Sequence, residues 1–228
     1  TFTLKDLNTI NVSDIPSHNL LCGGFPCQPF SIAGEKKGFD DKRSNVFWKI
    51  VEILEKHNPE IIILENVKNL KSHDKGNTWK HIHNEISSRG YEIFSKVIDA
   101  SHWVPQHRER IFIVCFDKSL FCKDRKVNFQ FPEFPKTREY SLSSFLEKNP
   151  DKKYMLSDKL WNYLQNYAEK HRRKGNGFGY GLVGNDGKTR TMSARYYKDG
   201  AEILIEQDGW KNPRRLTPNE AKYLMGFH

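Results

Sequence analysis

The sequence predicts an α/β protein built on a mostly parallel sheet, joined to a second, smaller and less regular unit. Three observations carry this reading. Strand and helix signals alternate through the first 116 residues, the pattern breaks after Asp117, and the positive charge rises at the same point. A chain of 228 residues suffices for one sizeable core and a smaller companion.

Leu20–Cys22 belongs to a short apolar run stopped by Gly23-Gly24. Ser44 is placed to cap a helix through about His57, whose apolar face is Val46, Phe47, Ile50, Val51, Ile53 and Leu54. Pro59 ends that helix, and Ile61-Ile62-Ile63-Leu64 reads as a strand buried on both faces. Trp79, Ile82 and Ile86 stand at i, i+3 and i+7 of a second helix that Gly90 stops. Two strands follow, Tyr91–Asp99 and Ile111–Phe116. Beyond Asp117, prolines at 132, 135 and 150 punctuate the chain, and an amphipathic helix fits Ser157–Lys170. The glycine-spaced stretch 175–181 reads as a flexible loop leading into β-like segments up to Trp210. Thr217-Pro218-Asn219-Glu220 is a capping box with proline at the first helical position. The expected domains are residues 1–116, residues 117–212, and a segment 213–228 returning to the first.

No apolar run, Ile61–Leu64 included, is long enough for a membrane-spanning helix. The chain opens at Thr1 without methionine and reads as a piece of a longer protein. Its cysteines, 22, 27, 115 and 122, form no CxxC pair and have no histidine pair at zinc spacing, so no metal is expected. Cys22 and Cys115 lie in apolar strand-like runs, where free cysteine packs as a small hydrophobe, and a reducing cytoplasm suits such a set. Residues 1–116 carry 15 basic against 14 acidic side chains, and residues 117–228 carry 22 against 14. Either the second part grips a polyanion or it carries a solvated lysine-rich surface.

Three short elements suggest chemistry. Cys27 stands in Gly24-Phe25-Pro26-Cys27-Gln28-Pro29-Phe30-Ser31, directly after a strand, where α/β proteins place ligands. Nearby positive groups would make its thiol reactive, and the bland reading is a buried structural cysteine. Glu65-Asn66-Val67 ends the apolar strand at Leu64 and would project Glu65 into the same crevice, in a setting able to hold a proton near neutrality. The bland reading is a solvated loop glutamate. Gln106, Arg108 and Arg110 alternate before the strand Ile111–Phe116 and would share one face suited to phosphates and a carbonyl oxygen. A surface ion-pair ladder with Glu109 is the alternative.

In this order the three elements resemble the Pro-Cys-Gln, Glu-Asn-Val and Gln-x-Arg-x-Arg signatures of the cytosine-C5 DNA methyltransferases. Arg43 in Gly38-Phe39-Asp40-Asp41-Lys42-Arg43 fits a further family element, and Arg214-Arg215-Leu216-Thr217-Pro218 looks like the motif that follows its target-recognition region. The resemblance implies a Rossmann-like methyltransferase sheet with an irregular, β-rich target-recognition domain. It implies S-adenosylmethionine as methyl donor and S-adenosylhomocysteine as product, with Asp6, Leu7, Pro26 and Val46 as cofactor contacts. Cys27, Glu65, Asn66, Gln106, Arg108 and Arg110 become the catalytic set, with Cys27 the nucleophile at cytosine C6. Ser31, Gly34, Arg43, Arg190, Arg195 and Lys198 become DNA contacts. The implied partner is double-stranded DNA bound by a monomer, with a cognate restriction endonuclease in the same system. The family's opening glycine turn and last helix have no counterpart here, so weak cofactor binding and no activity are expected of this chain alone.

Three other readings compete. A thiol hydrolase pairing Cys27 with His102 or His107 needs a third group to orient the base. A catalytically silent DNA-binding relative would not need Cys27, Glu65 and Arg110 together. A relative acting on transfer RNA fits poorly with the long recognition region and with Gln28 after the cysteine.

Overall fold

The computed structural model describes residues 4–26, 45–121, 127–134, 141–177, 179–184 and 187–227. The chain divides into two compact units, Thr1–Ile98 with Glu109–Pro132, and Asp99–Arg108 with Glu133–His228.

The first unit begins with two 3-10 turns, Leu7–Thr9 and Val12–Asp14, capped by the side chains of Asp6 and Asn11. Then come β1 (Leu20–Gly24), α1 (Asn45–His57), β2 (Ile61–Val67), α2 (Asn77–Ser87), β3 (Tyr91–Asp99), β4 (Glu109–Asp117) and the short α3 (Lys118–Phe121). The strand order is β1-β2-β4-β3. β1 and β2 are parallel, as a helical crossover allows. β4 runs antiparallel to β2, and Lys118 N–H donates to Gly90 O, which brings the end of β4 to the start of β3. β1, β2 and β3 therefore share one direction, and β4 slots between β2 and β3 against them. The cause is local: the short link from Ala100 to Arg108 holds only a 3-10 turn, Ala100–His102, and a parallel connection needs a longer crossover.

Burial along β2 alternates, with Ile62, Leu64 and Asn66 inside and Ile61, Ile63 and Glu65 half-buried. The expectation of burial on both faces is corrected to one. Ile62, Leu64, Ile111, Ile113 and Cys115 pack with Phe47, Ile50 and Leu54 of α1 and Ile82 and Ile86 of α2 in one core. Both helices thus cover the face opposite Glu65. α1 stops where Asn58 takes a left-handed φ of 43° before Pro59, a conformation asparagine tolerates. Ser44 lies outside the described residues. Cys115 is buried, which pushes its thiol up to about 12, whereas Cys22 is exposed and does not pack as expected, because it lies on the outward face of β1.

The second unit contains α4 (Asp158–Arg173), β5 (Leu182–Val183), α5 (Tyr196–Asp199), β6 (Leu204–Ile205) and α6 (Pro218–Leu224). Ser157 caps α4, and Thr217 and Glu220 form the expected capping box. Its core gathers Leu142, Val183, Tyr196, Ile203, Ile205, Leu216 and Leu224. Where a β-rich domain was expected, the described residues hold two parallel strands of two residues each. Gly181 is not a free loop residue: its N–H donates to Ala201 O and its carbonyl accepts from Leu204, and a Cβ there would run into Glu202 O.

The expected domain boundaries also change. Residues 117–132 cluster with the first unit, where the Phe129 ring lies 5.3 Å from Phe94 and 5.2 Å from Phe116. Residues 213–228 cluster with the second, and within them the Arg214 guanidinium is fully buried against Glu220 with two 2.8 Å hydrogen bonds. The Glu220 oxygens accept further bonds from the Glu147 and Thr217 amides, and Arg214 Nε donates to Gln207. A buried charge pair satisfied on every side fixes the last helix to its own unit.

Candidate active site

β1 and β2 run side by side with Gly24 in register with Glu65. Antiparallel β4 puts Arg110 opposite Val67, diagonal to Glu65 on the same face, within reach of a long side chain. Arg110 Nε meets Glu65 Oε1 at 2.9 Å, with the arginine side chain 19% and the glutamate 41% exposed. Arg110 Nη1 also donates to Glu109 O at 2.9 Å, so the guanidinium is held from two sides. A planar cation locked against a carboxylate that keeps an open side can hold that carboxylate still while it meets a ligand.

Gly24 packs closely against this pair: a Cβ there would lie 3.3 Å from Glu65 Oε2, so the carboxylate would have to give by a few tenths of an ångström. The next residue, Phe25, is buried beside Phe47, with ring centroids 5.4 Å apart. Buried Asn66 donates from Nδ2 to Phe25 O at 2.9 Å, and its Oδ1 accepts from Val67 N–H at 2.8 Å. Asn66 therefore ties the end of β2 to the chain leaving β1, two residues before Cys27. Cys27 itself, with Ser31, Gly34 and Arg43, lies outside the described residues.

The expected arginine face divides. Arg110 sits in the first unit, and Gln106 and Arg108 in the second. Gln106 is buried, its Nε2 donating to Leu224 O at 2.9 Å and its Oε1 accepting from Met192 N–H at 3.1 Å. Glu109, the acid of the alternative ion-pair ladder, pairs with Lys68. Around Gln106 the chain is laced to the 189–192 segment: His107 N–H donates to Thr189 O, Thr189 N–H to Pro105 O, and Thr191 Oγ1 to His107 O.

A family model described as C-5 cytosine-specific DNA methylase matches residues 1–228. The chain belongs to that family. It is 47% identical over 224 residues to the type II methyltransferase M1.ScrFI of Lactococcus lactis subsp. cremoris, covering 97% of this chain and 57% of that protein. It is 42% identical over 254 residues to the DNA-cytosine methyltransferase of Escherichia coli K12, covering 93% of this chain and 53% of that protein. This chain thus spans a little over half the length of both relatives. The fold is similar to the Entamoeba histolytica methyltransferase EhMeth, with a TM-score of 0.74 at 22% identity over 99% of this chain and 71% of that one. The S. pombe Dnmt2 methyltransferase gives 0.71 at 19%, over 99% of this chain and 72% of that one.

Of the four residues expected from the resemblance to contact the cofactor, Asp6 and Pro26 are exposed and Leu7 and Val46 half-buried. Asp6 already accepts from Asn8 N–H at 3.0 Å, which fixes its orientation. Arg190, Arg195 and Lys198 are exposed on the second unit, with Lys198 Nζ 5.5 Å from the Tyr197 ring.

Sequence reasoning missed three features. Gly24 carried a signal in its place just before the cysteine motif, but its role depends on strand register. Asn66 was named for its signature, not for its bond to Phe25. Asp99 orients His107 through a 2.7 Å contact to Nδ1, and also accepts from the Ser101 and Arg108 amides. Partial burial alone would raise the Asp99 carboxyl, but these bonds from His107, Ser101 and Arg108 outweigh it and hold it at about 2.

Proposed function

We propose that this chain carries the base-activating part of a DNA cytosine-C5 methyltransferase. The observation that supports it most is the Arg110–Glu65 pair beside Gly24, three residues before Cys27 in sequence. Consecutive Cα atoms are ~3.8 Å apart, so Cys27 cannot stray far from the anchored Phe25. Its thiolate adds to cytosine C6, and the ring's electron pair then resides at C5, which takes the methyl group. Glu65 binds the N3/N4 edge of the base and favours the adduct, while Arg110 holds Glu65 and the base O2. A base removes the C5 proton, the C5–C6 double bond reforms and the thiolate leaves. Such an atom is unreachable inside a duplex, so the cytosine is extruded first.

S-adenosylmethionine supplies an activated methyl group on a sulfonium. Asp6, Leu7, Pro26 and Val46 remain accessible enough to contact it. Arg190, Arg195 and Lys198 contact duplex DNA, with Ser31, Gly34 and Arg43 on the segment after Cys27. Arg108 serves the same interface, and Gln106 positions it from within the second unit. A monomer acting in the cytoplasm, within a restriction-modification system, suits the relatives' type II names.

The test is bisulfite sequencing of plasmid DNA from cells expressing the complete reading frame. Methylated cytosines in one short sequence are expected, and Glu65→Gln should cut turnover by ~10²-fold or more, the scale for losing a positioned acid. Unmethylated plasmid with soluble wild-type protein would overturn the reading.

A further inference from the structure

A cavity of about 660 Å³ opens within the second unit. Met155, Leu160, Met192 and Leu216 supply much of its wall, with the 74% exposed ring of Tyr197. Two cations, Lys153 and Arg215, line it, Lys153 being paired with Asp151 at 3.3 Å, and among the described residues no carboxylate belongs to the wall. The volume is that of a small-molecule site.

Arg215 is built into this wall. Its backbone N–H donates to Tyr154 O at 2.9 Å. A Cβ at Gly200 would lie 3.2 Å from Arg215 Cδ and 3.3 Å from Nε and would collide with Tyr196 O, so only glycine leaves room for the arginine stem. Arg215 Nε is shielded from solvent yet has no hydrogen-bond partner. Met192 is held in place through its N–H bond to Gln106.

We propose that this cavity binds a small aromatic anion. Its planar body lies against Leu160, Leu216, Met192 and the Tyr197 ring, which suit it by dispersion, sulfur–aromatic contact and stacking. Its carboxylate, sulfonate or phosphate accepts from Arg215, and Lys153 adds to the positive potential. The chemistry fits either a nucleotide or a free aromatic acid. It is independent of the methyl-transfer reading, because Cys27, Glu65 and Arg110 take no part.

The test is a fluorescence titration of the whole chain with 1-anilinonaphthalene-8-sulfonate, displaced in separate arms by deoxycytidine monophosphate and by naphthalene-1-sulfonate. One saturating site is expected, weakened about tenfold or more by Arg215→Met. Ala194→Trp, at an exposed lining position, should block it, with the thermal midpoint confirming that each variant is folded. Displacement by the nucleotide assigns the site to nucleic acid, and displacement by the sulfonate alone assigns it to a free acid. No saturable site, equal affinity in a folded Ala194→Trp variant, or displacement by neither competitor would overturn the proposal.

Discussion

Glu65 and Arg110 meet because two strands run in opposite directions, and Gly24 lets them keep that contact by bringing no side chain of its own. Gly24→Val adds branched carbon beyond a Cβ already 3.3 Å from Glu65 Oε2, and the expected outcome is a carboxylate displaced from Arg110. Methylation by the complete protein should fall at least ~10-fold, on the scale of a misplaced catalytic group, while the thermal midpoint stays close to wild type. Unchanged methylation in a folded Gly24→Val protein would show that the carboxylate position does not matter. Asp99 makes a second residue-scale prediction. Its folded value of about 2 lies below the ~3.9 of an unfolded aspartate, so its stabilisation is complete above about pH 4 and is lost as pH falls towards 2. Urea unfolding measured across that window should show a steeper loss for wild type than for Asp99→Asn. Parallel pH profiles would contradict the assignment.

At the scale of elements, much of the first unit was legible. Leu54 through Leu64 contained both the helix stop at Asn58-Pro59 and the apolar strand, because those signals are local. The capping box at Thr217–Glu220 was equally readable, since four neighbouring residues make it. The antiparallel placement of β4 was not, because it depends on what the Ala100–Arg108 link is too short to do. Nor was the role of Arg214, which is read from its burial against Glu220 and not from its neighbours. Removing one partner of that pair leaves a buried charge alone, and Arg214→Met or Glu220→Leu should each cost ~3–5 kcal/mol in urea unfolding. The double variant Arg214→Met with Glu220→Leu should lose less than the sum of the singles. Strict additivity would mean that the pair does not stabilise α6.

For the whole molecule, the jump in charge after residue 116 suggested a boundary that does not coincide with the limits of the two compact units. Charge follows sequence, whereas the units are set by packing: Phe129 stays with β3 and β4, and Gln106 leaves its motif to join the second core. The candidate site was legible as motifs because its members lie near the ends of strands, and its geometry was hidden because register and crossovers join them. The central claim is that Cys27 attacks a cytosine held by Glu65 and Arg110. It is tested most directly by incubating the complete protein with S-adenosylmethionine and a duplex carrying 5-fluorocytosine at the target, where the fluorine blocks the final elimination. A denaturing gel should show a covalent protein–DNA band with wild type and none with Cys27→Ala. A band of equal strength with Cys27→Ala would contradict the account.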